Sequence, residues 1–193
     1  MITYSNTENV ELSLRELGFK GRLLWCYLAT LRLLNIPLTV RADDQDLVNT
    51  CLDAQACIED YISGSRLHND QHLKALYDAI EGKIPSDKDV DYTLLTTIES
   101  NALASLAYIL EHIRTHDGQF LVHAMNVVLD SIDVYHQSEP SDEVALVDSA
   151  SNPFEKEQLV RQEQLRYALD DTRVNRNLLA DLRISQGYIF SPL

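Results

Sequence analysis

Between Leu94 and Tyr135, apolar residues recur every third or fourth position through two long stretches that meet at a short polar break, His116-Asp117-Gly118. In the first stretch, about Tyr92 to His116, Leu95, Ile98, Ala102, Leu106, Ile109 and Ile113 share one helical face, with Leu103 and Leu110 beside it. In the second, about Gln119 to His136, Leu121, Met125, Val128, Ile132 and Tyr135 do the same, and Asp117 stands where a cap belongs. This spacing predicts two amphipathic helices that pack on each other at the centre of a bundle, with the break as their turn.

The rest of the chain repeats the pattern. A short helix is predicted over Glu8–Leu17 and a second over Lys20–Leu34, with Leu23, Leu24, Tyr27, Leu28, Leu31 and Leu34 forming a broad apolar face; Asn35 and Pro37 are expected to end it. Asp43, Asp44 and Asp46 suit the first turn of a third helix, because carboxylates there meet unpaired N–H groups and the positive end of the dipole. That helix carries Leu47, Cys51, Leu52, Ala54, Ile58 and Ile62 and ends at Gly64. A fourth covers about Asn69–Ile80, closed by Gly82 and Pro85. After Pro140 a short turn is expected over Asp142–Val147, and Pro153 suits the first position of a last long helix, where Glu157 and Arg161 pair four apart. The segment Tyr188-Ile189-Phe190-Ser191-Pro192-Leu193 is apolar and uncharged, and is expected to dock on its own domain or on a second copy. Six glycines and five prolines leave few breaks, and no stretch alternates as a strand does. The expectation is an all-α fold: one antiparallel helical bundle of about seven helices over residues 1–193.

Composition narrows the partners. Sixteen Lys and Arg stand against 30 Asp and Glu, a formal charge of −14, which repels a phosphate backbone and an anionic lipid surface alike. Nucleic-acid and membrane binding are therefore not expected, whereas an acidic surface can attract a basic protein. Three cysteines are an odd number, and Cys51 and Cys57, six apart on one helix, turn away from each other, so no disulfide framework is expected. No signal sequence is expected after Met1, and no apolar run is expected to reach the roughly 20 residues that span a bilayer. A reduced, cytoplasmic protein is the expectation.

Candidate chemistry is sparse. His112 and His116 stand four apart, a spacing that points two imidazoles the same way for a divalent cation; the same spacing at a helix C-terminus is favoured by the dipole alone. No third ligand is apparent for them. His68 and His72 share the spacing, but His68 falls before its helix begins. Asp87, Asp89 and Asp91 open like a calcium loop, yet Tyr92 stands where that loop needs glycine and Ile98 where it needs a bidentate Glu. Glu99 shares a helical row with Leu103, Leu106 and Leu110, so it is a partly buried carboxylate, suited either to a site or to a structural pair. Asp133 and His136 give a D-x-x-H spacing without the glutamates and repeated E-x-x-H of carboxylate-bridged metal bundles. The weak catalytic candidates are thus Glu99, His123 and Asp133, and the weak metal candidates His112 and His116. No cofactor is expected, since no phosphate loop, nucleophile elbow or C-x-x-C pair occurs.

Taken in order, Leu14-Arg15-Glu16-Leu17, Leu24-Trp25-Cys26-Tyr27-Leu28-Ala29, Ile84-Pro85-Ser86 with the acidic run to Asp91, Ala102-Leu103-Ala104-Ser105-Leu106 and Leu179-Ala180-Asp181-Leu182-Arg183 make the chain resemble the bacterial YjaG-like family, domain of unknown function 416. The resemblance covers the whole chain and implies a cytoplasmic, all-helical single domain without an assigned reaction. The expected function is a non-catalytic interaction or regulatory module that self-associates through its last helix or apolar end segment. The competing expectations are an enzyme or metal site near the pair of helices that meet at Asp117, and an acidic surface for a basic protein.

Overall fold

The computed structural model describes residues 14–15, 17–85 and 93–137, apart from the side chains of 132, 133 and 135–137. These residues form five helices and no strand: α1 (Phe19–Val40), α2 (Gln45–Ser63), α3 (Asp70–Glu81), α4 (Leu94–Thr115) and α5 (Gln119–Gln137). Most of the predicted Glu8–Leu17 helix, the Asp87, Asp89 and Asp91 loop, the Asp142–Val147 turn, the helix from Pro153 and the 188–193 segment lie outside the described residues.

The end at Gly64 and the cap at Asp117 lie where the pattern places them, and the structure adds the other caps. Asp44 caps α2 by accepting from the Leu47 N–H at 2.9 Å, and Gly64 ends it in the left-handed region at φ 68°. Asn69 caps α3, accepting from the His72 N–H at 2.8 Å. Thr93 caps α4, and His116 closes it at φ 59°, a left-handed conformation that few side chains other than Gly and Asn adopt. Asp117 then receives the Gln119 N–H at 2.9 Å at the start of α5.

One expected helix end needs correction. Pro37 does not end its helix: α1 runs on to Val40, and the Arg41 N–H bonds the Pro37 carbonyl at 3.0 Å. The ring removes one backbone donor, but only the last turn follows it, and burial of Ile36 and Pro37 holds that turn in place. Leu52, one of the apolar residues that the sequence puts on α2, is 48% exposed. The inner face instead takes Gln55 and Cys57 beside Cys51, Ala54 and Ile58.

Helix α4 is the centre. It packs against α1, α2, α3 and α5, and most extensively against α5. Small residues let α1, α4 and α5 approach: the Ser105 hydroxyl lies 2.6 Å from that of Thr30 on α1 and donates to the Ala124 carbonyl of α5 at 3.1 Å. Those groups are buried, so each bond avoids the cost of an unpaired polar atom, about 1–3 kcal/mol. Around them lie Leu23, Trp25, Tyr27, Leu28, Leu33, Leu103, Leu106 and Met125, all fully enclosed.

Helix α1 is long and apolar enough to cross a membrane by length and composition, with an 18-residue window of mean hydropathy 1.5, contrary to the expectation of no such run. Of that window 72% is buried within the protein. A helix apolar on nearly every side is what a central position in a helical core requires.

Candidate functional site

Glu99, His112, His116 and His123 have definite places among the described residues. Glu99, in the first turns of α4, is 8% exposed and paired: its Oε1 accepts from Arg41 Nη1 at 2.7 Å. Arg41 Nη2 also meets Asp44 Oδ2 at 2.6 Å, while Lys83 pairs with Asp46. One cation beyond the end of α1 thus ties the start of α2 to that of α4, and the two carboxylates hold the Arg41 guanidinium above its usual range against the opposing effect of burial. The partly buried carboxylate read from the sequence is ion-paired, with a partner 58 positions away.

His123 is exposed and joins an aromatic group at tilted and edge-on angles, its ring centroid 5.5 Å from Tyr108 and 6.5 Å from Phe120. Asp133 and His136 lie on the last turns of α5, with their side chains outside the described residues.

His112 and His116 come to the turn between α4 and α5 in different states. His112 is buried at 3% exposure; its Nδ1–H donates to the Asp117 carbonyl at 2.9 Å, and Nε2 is enclosed without a hydrogen-bond partner. Burial holds its pKa below the usual 6.5, partly offset by the Asp117 carbonyl. His116, outside the helix, is exposed, and its Nδ1 lies 3.5 Å from the Tyr61 hydroxyl. The helix ends between them, so the fourfold spacing no longer sets their relative direction.

Both histidines line a cleft of about 290 Å³ between the residues before α1 and the α4–α5 turn. Its apolar wall is Leu14, Phe19, Leu121 and Val122, and Arg15, Arg22 and Asp117 supply charge. Arg22 fixes the approach to α1, donating from Nε to the Leu17 carbonyl at 2.8 Å and from Nη2 to that of Arg15 at 3.2 Å. Phe19 is 47% exposed, and its ring lies 5.8 Å from that of His112.

A second cluster joins residues that the sequence keeps apart. Cys57 on α2, His68 before α3 and His72 in its first turn bring ligand atoms within 4.8 Å of one another, the one such group of three among the described residues. The fold explains the meeting. Gly64 reverses the chain, the Ser65 N–H returns to the Asp60 carbonyl at 3.0 Å, and the Ser65 hydroxyl donates to Asp60 Oδ1 at 2.8 Å. His68 consequently lies over the last turns of α2, its Nε2 3.3 Å from Asp60 Oδ2. His72 stacks on it with ring centroids 5.1 Å apart. Burial, with the Asp60 charge adding to it and Arg66 opposing, pushes the Cys57 thiol up to about 11. Cys26, Cys51 and Cys57 are all unpaired and buried, so burial by itself does not single out Cys57; two imidazoles do.

Arg32 was not singled out by the sequence either. It is 3% exposed in α1, its Nε lacks a partner, and burial pulls its pKa down to about 10. Comparison with protein-family models, with curated proteins and with solved structures finds no match to this chain.

Proposed function

We propose that this protein is a cytoplasmic, non-catalytic interaction module that self-associates, the apolar 188–193 segment of one copy seating in the cleft beside α1 and the α4–α5 turn of another. The observation that carries the reading is the cleft itself, whose apolar wall includes a phenylalanine left 47% exposed. The segment Tyr188-Ile189-Phe190-Ser191-Pro192-Leu193 is uncharged in a chain of net charge −14, so like-charge repulsion does not oppose its docking. Removing two apolar surfaces from water supplies the drive, at about 25 cal/mol per Å². The same proposal takes the whole chain as one antiparallel bundle of about seven helices and places it with the YjaG-like family, which its segment order resembles.

Sedimentation of the full chain, of a chain cut after Gly187 and of a Phe19→Ser variant tests the reading. A dimer that becomes monomeric in both altered forms supports it. A full chain that is monomeric at high concentration, or a dimer indifferent to both changes, removes it.

One observation favours a second reading, a small-molecule site near the α4–α5 pair. The buried Nε2 of His112 offers an acceptor beside the cleft. A ligand that donates a hydrogen bond there would lose affinity in His112→Asn and keep it in the truncated chain.

A further inference from the structure

Three side chains from two helices and the loop between them converge where the sequence shows only an ordinary histidine pair. We propose that Cys57, His68 and His72 form a zinc site that pins the end of α2 to the start of α3. This inference is independent of the self-association reading.

The donor set selects the ion. One thiolate with two imidazoles is a borderline-soft combination, which favours Zn²⁺ over the hard cations Mg²⁺ and Ca²⁺ with their demand for oxygen. Zinc bonds of about 2.3 Å to sulfur and about 2.0 Å to nitrogen set tetrahedral ligands roughly 3.5 Å apart. The three ligand atoms lie within 4.8 Å of one another, so side-chain rotations that close the group by roughly 1 Å suffice. Asp60 supplies the outer support. Its Oδ2 sits 3.3 Å from His68 Nε2, and a carboxylate accepts only, so Nε2 carries the proton and Nδ1 is left to the metal. The Ser65 hydroxyl in turn holds the other carboxylate oxygen, Oδ1, at 2.8 Å.

Access and charge fit as well. His72 is exposed and Cys57 buried, so an ion enters from the surface and meets the sulfur last. On binding, the Cys57 proton passes to solvent and the S–H pair becomes the sulfur–zinc bond; no oxidant or reductant is involved. With three protein ligands the fourth position falls to water, so the site is a staple with one exchangeable position.

Cobalt reports such a site directly. The full chain, stripped with chelator and kept reduced, is titrated with Co²⁺ and then with Zn²⁺. The expected result is a thiolate-to-cobalt charge-transfer band with the intense visible bands of four-coordinate cobalt, both removed by stoichiometric zinc. Cys57→Ser abolishes the charge-transfer band, and His72→Ala weakens Co²⁺ binding at least ~100-fold. His72 is exposed, so its variant tests ligation without threatening the core, and circular dichroism confirms that both variants remain helical. Only the pale spectrum of six-coordinate cobalt, or a four-coordinate spectrum unchanged in both variants, would overturn the proposal.

Discussion

Two histidine pairs in this chain, His68 with His72 and His112 with His116, have the same spacing and opposite surroundings. In each, one member stands outside its helix: His68 before the first turn of α3, His116 beyond the last turn of α4. The rule that residues four apart point the same way holds inside a helix and fails across its end, where the loop decides. At the α4 end, the left-handed turn spends His112 Nδ1 on a backbone carbonyl and leaves His116 against Tyr61. At the α3 start, the reversal at Gly64 stacks both rings and carries them to a thiol and a carboxylate of α2. The first pair secures a turn, and the second gathers ligands.

The largest expected difference between the pairs is in metal affinity. Cys57→Ser is expected to lower zinc affinity at least about 100-fold in competition with a chromophoric chelator, since it replaces the one soft donor. His112→Ala and His116→Ala are expected to change it by less than about 3-fold, because neither residue belongs to the cluster. Stability should divide the other way. His112→Ala removes a buried ring and its bond to the Asp117 carbonyl, and is expected to cost about 2–3 kcal/mol in urea unfolding. Metal-free His72→Ala, at an exposed position, should remain within about 0.5 kcal/mol of the parent.

A smaller effect tests the outer contact. Asp60→Asn preserves shape but loses the charge that orients His68, and zinc affinity should fall about 10-fold, or about 1.4 kcal/mol. Smallest of all is the acid response of the other pair. The folded state holds His112 below its usual pKa of 6.5, so between the two values the unfolded chain binds more protons and stability rises with pH. That contribution is complete above about pH 6.5 and is lost as pH falls through the lowered folded value. Unfolding of His112→Asn, whose amide still reaches the Asp117 carbonyl, should lack this part of the acid dependence while other groups keep theirs.

Much of the fold was legible because helix faces and caps are local. The α4–α5 pair, the cap Asp117, the acidic start of α2, the stop at Gly64 and the break at His116 all follow from neighbouring residues. Pro37 misled because a proline stops a helix only if nothing else holds the turn beyond it. Leu52 lies exposed because α2 has more apolar positions than its buried face can cover. Periodicity says which side of a helix faces inward and is silent about what it meets there. Hence Glu99 could be read as partly buried while its partner, Arg41, could not be named. The same silence hid Cys57. Its distance in sequence from His68 matches no compact metal motif, and only the loop reversal after Gly64, tied down by Asp60 and Ser65, makes it a neighbour.

A zinc site at Cys57, His68 and His72 stands or falls most directly on calorimetric titration of Zn²⁺ into the chelator-stripped full chain and two double variants. Such a site predicts a single binding event in the parent, unchanged in His112→Ala/His116→Ala and absent in His68→Ala/His72→Ala. Binding that survives loss of His68 and His72, or that vanishes with His112 and His116, would contradict it.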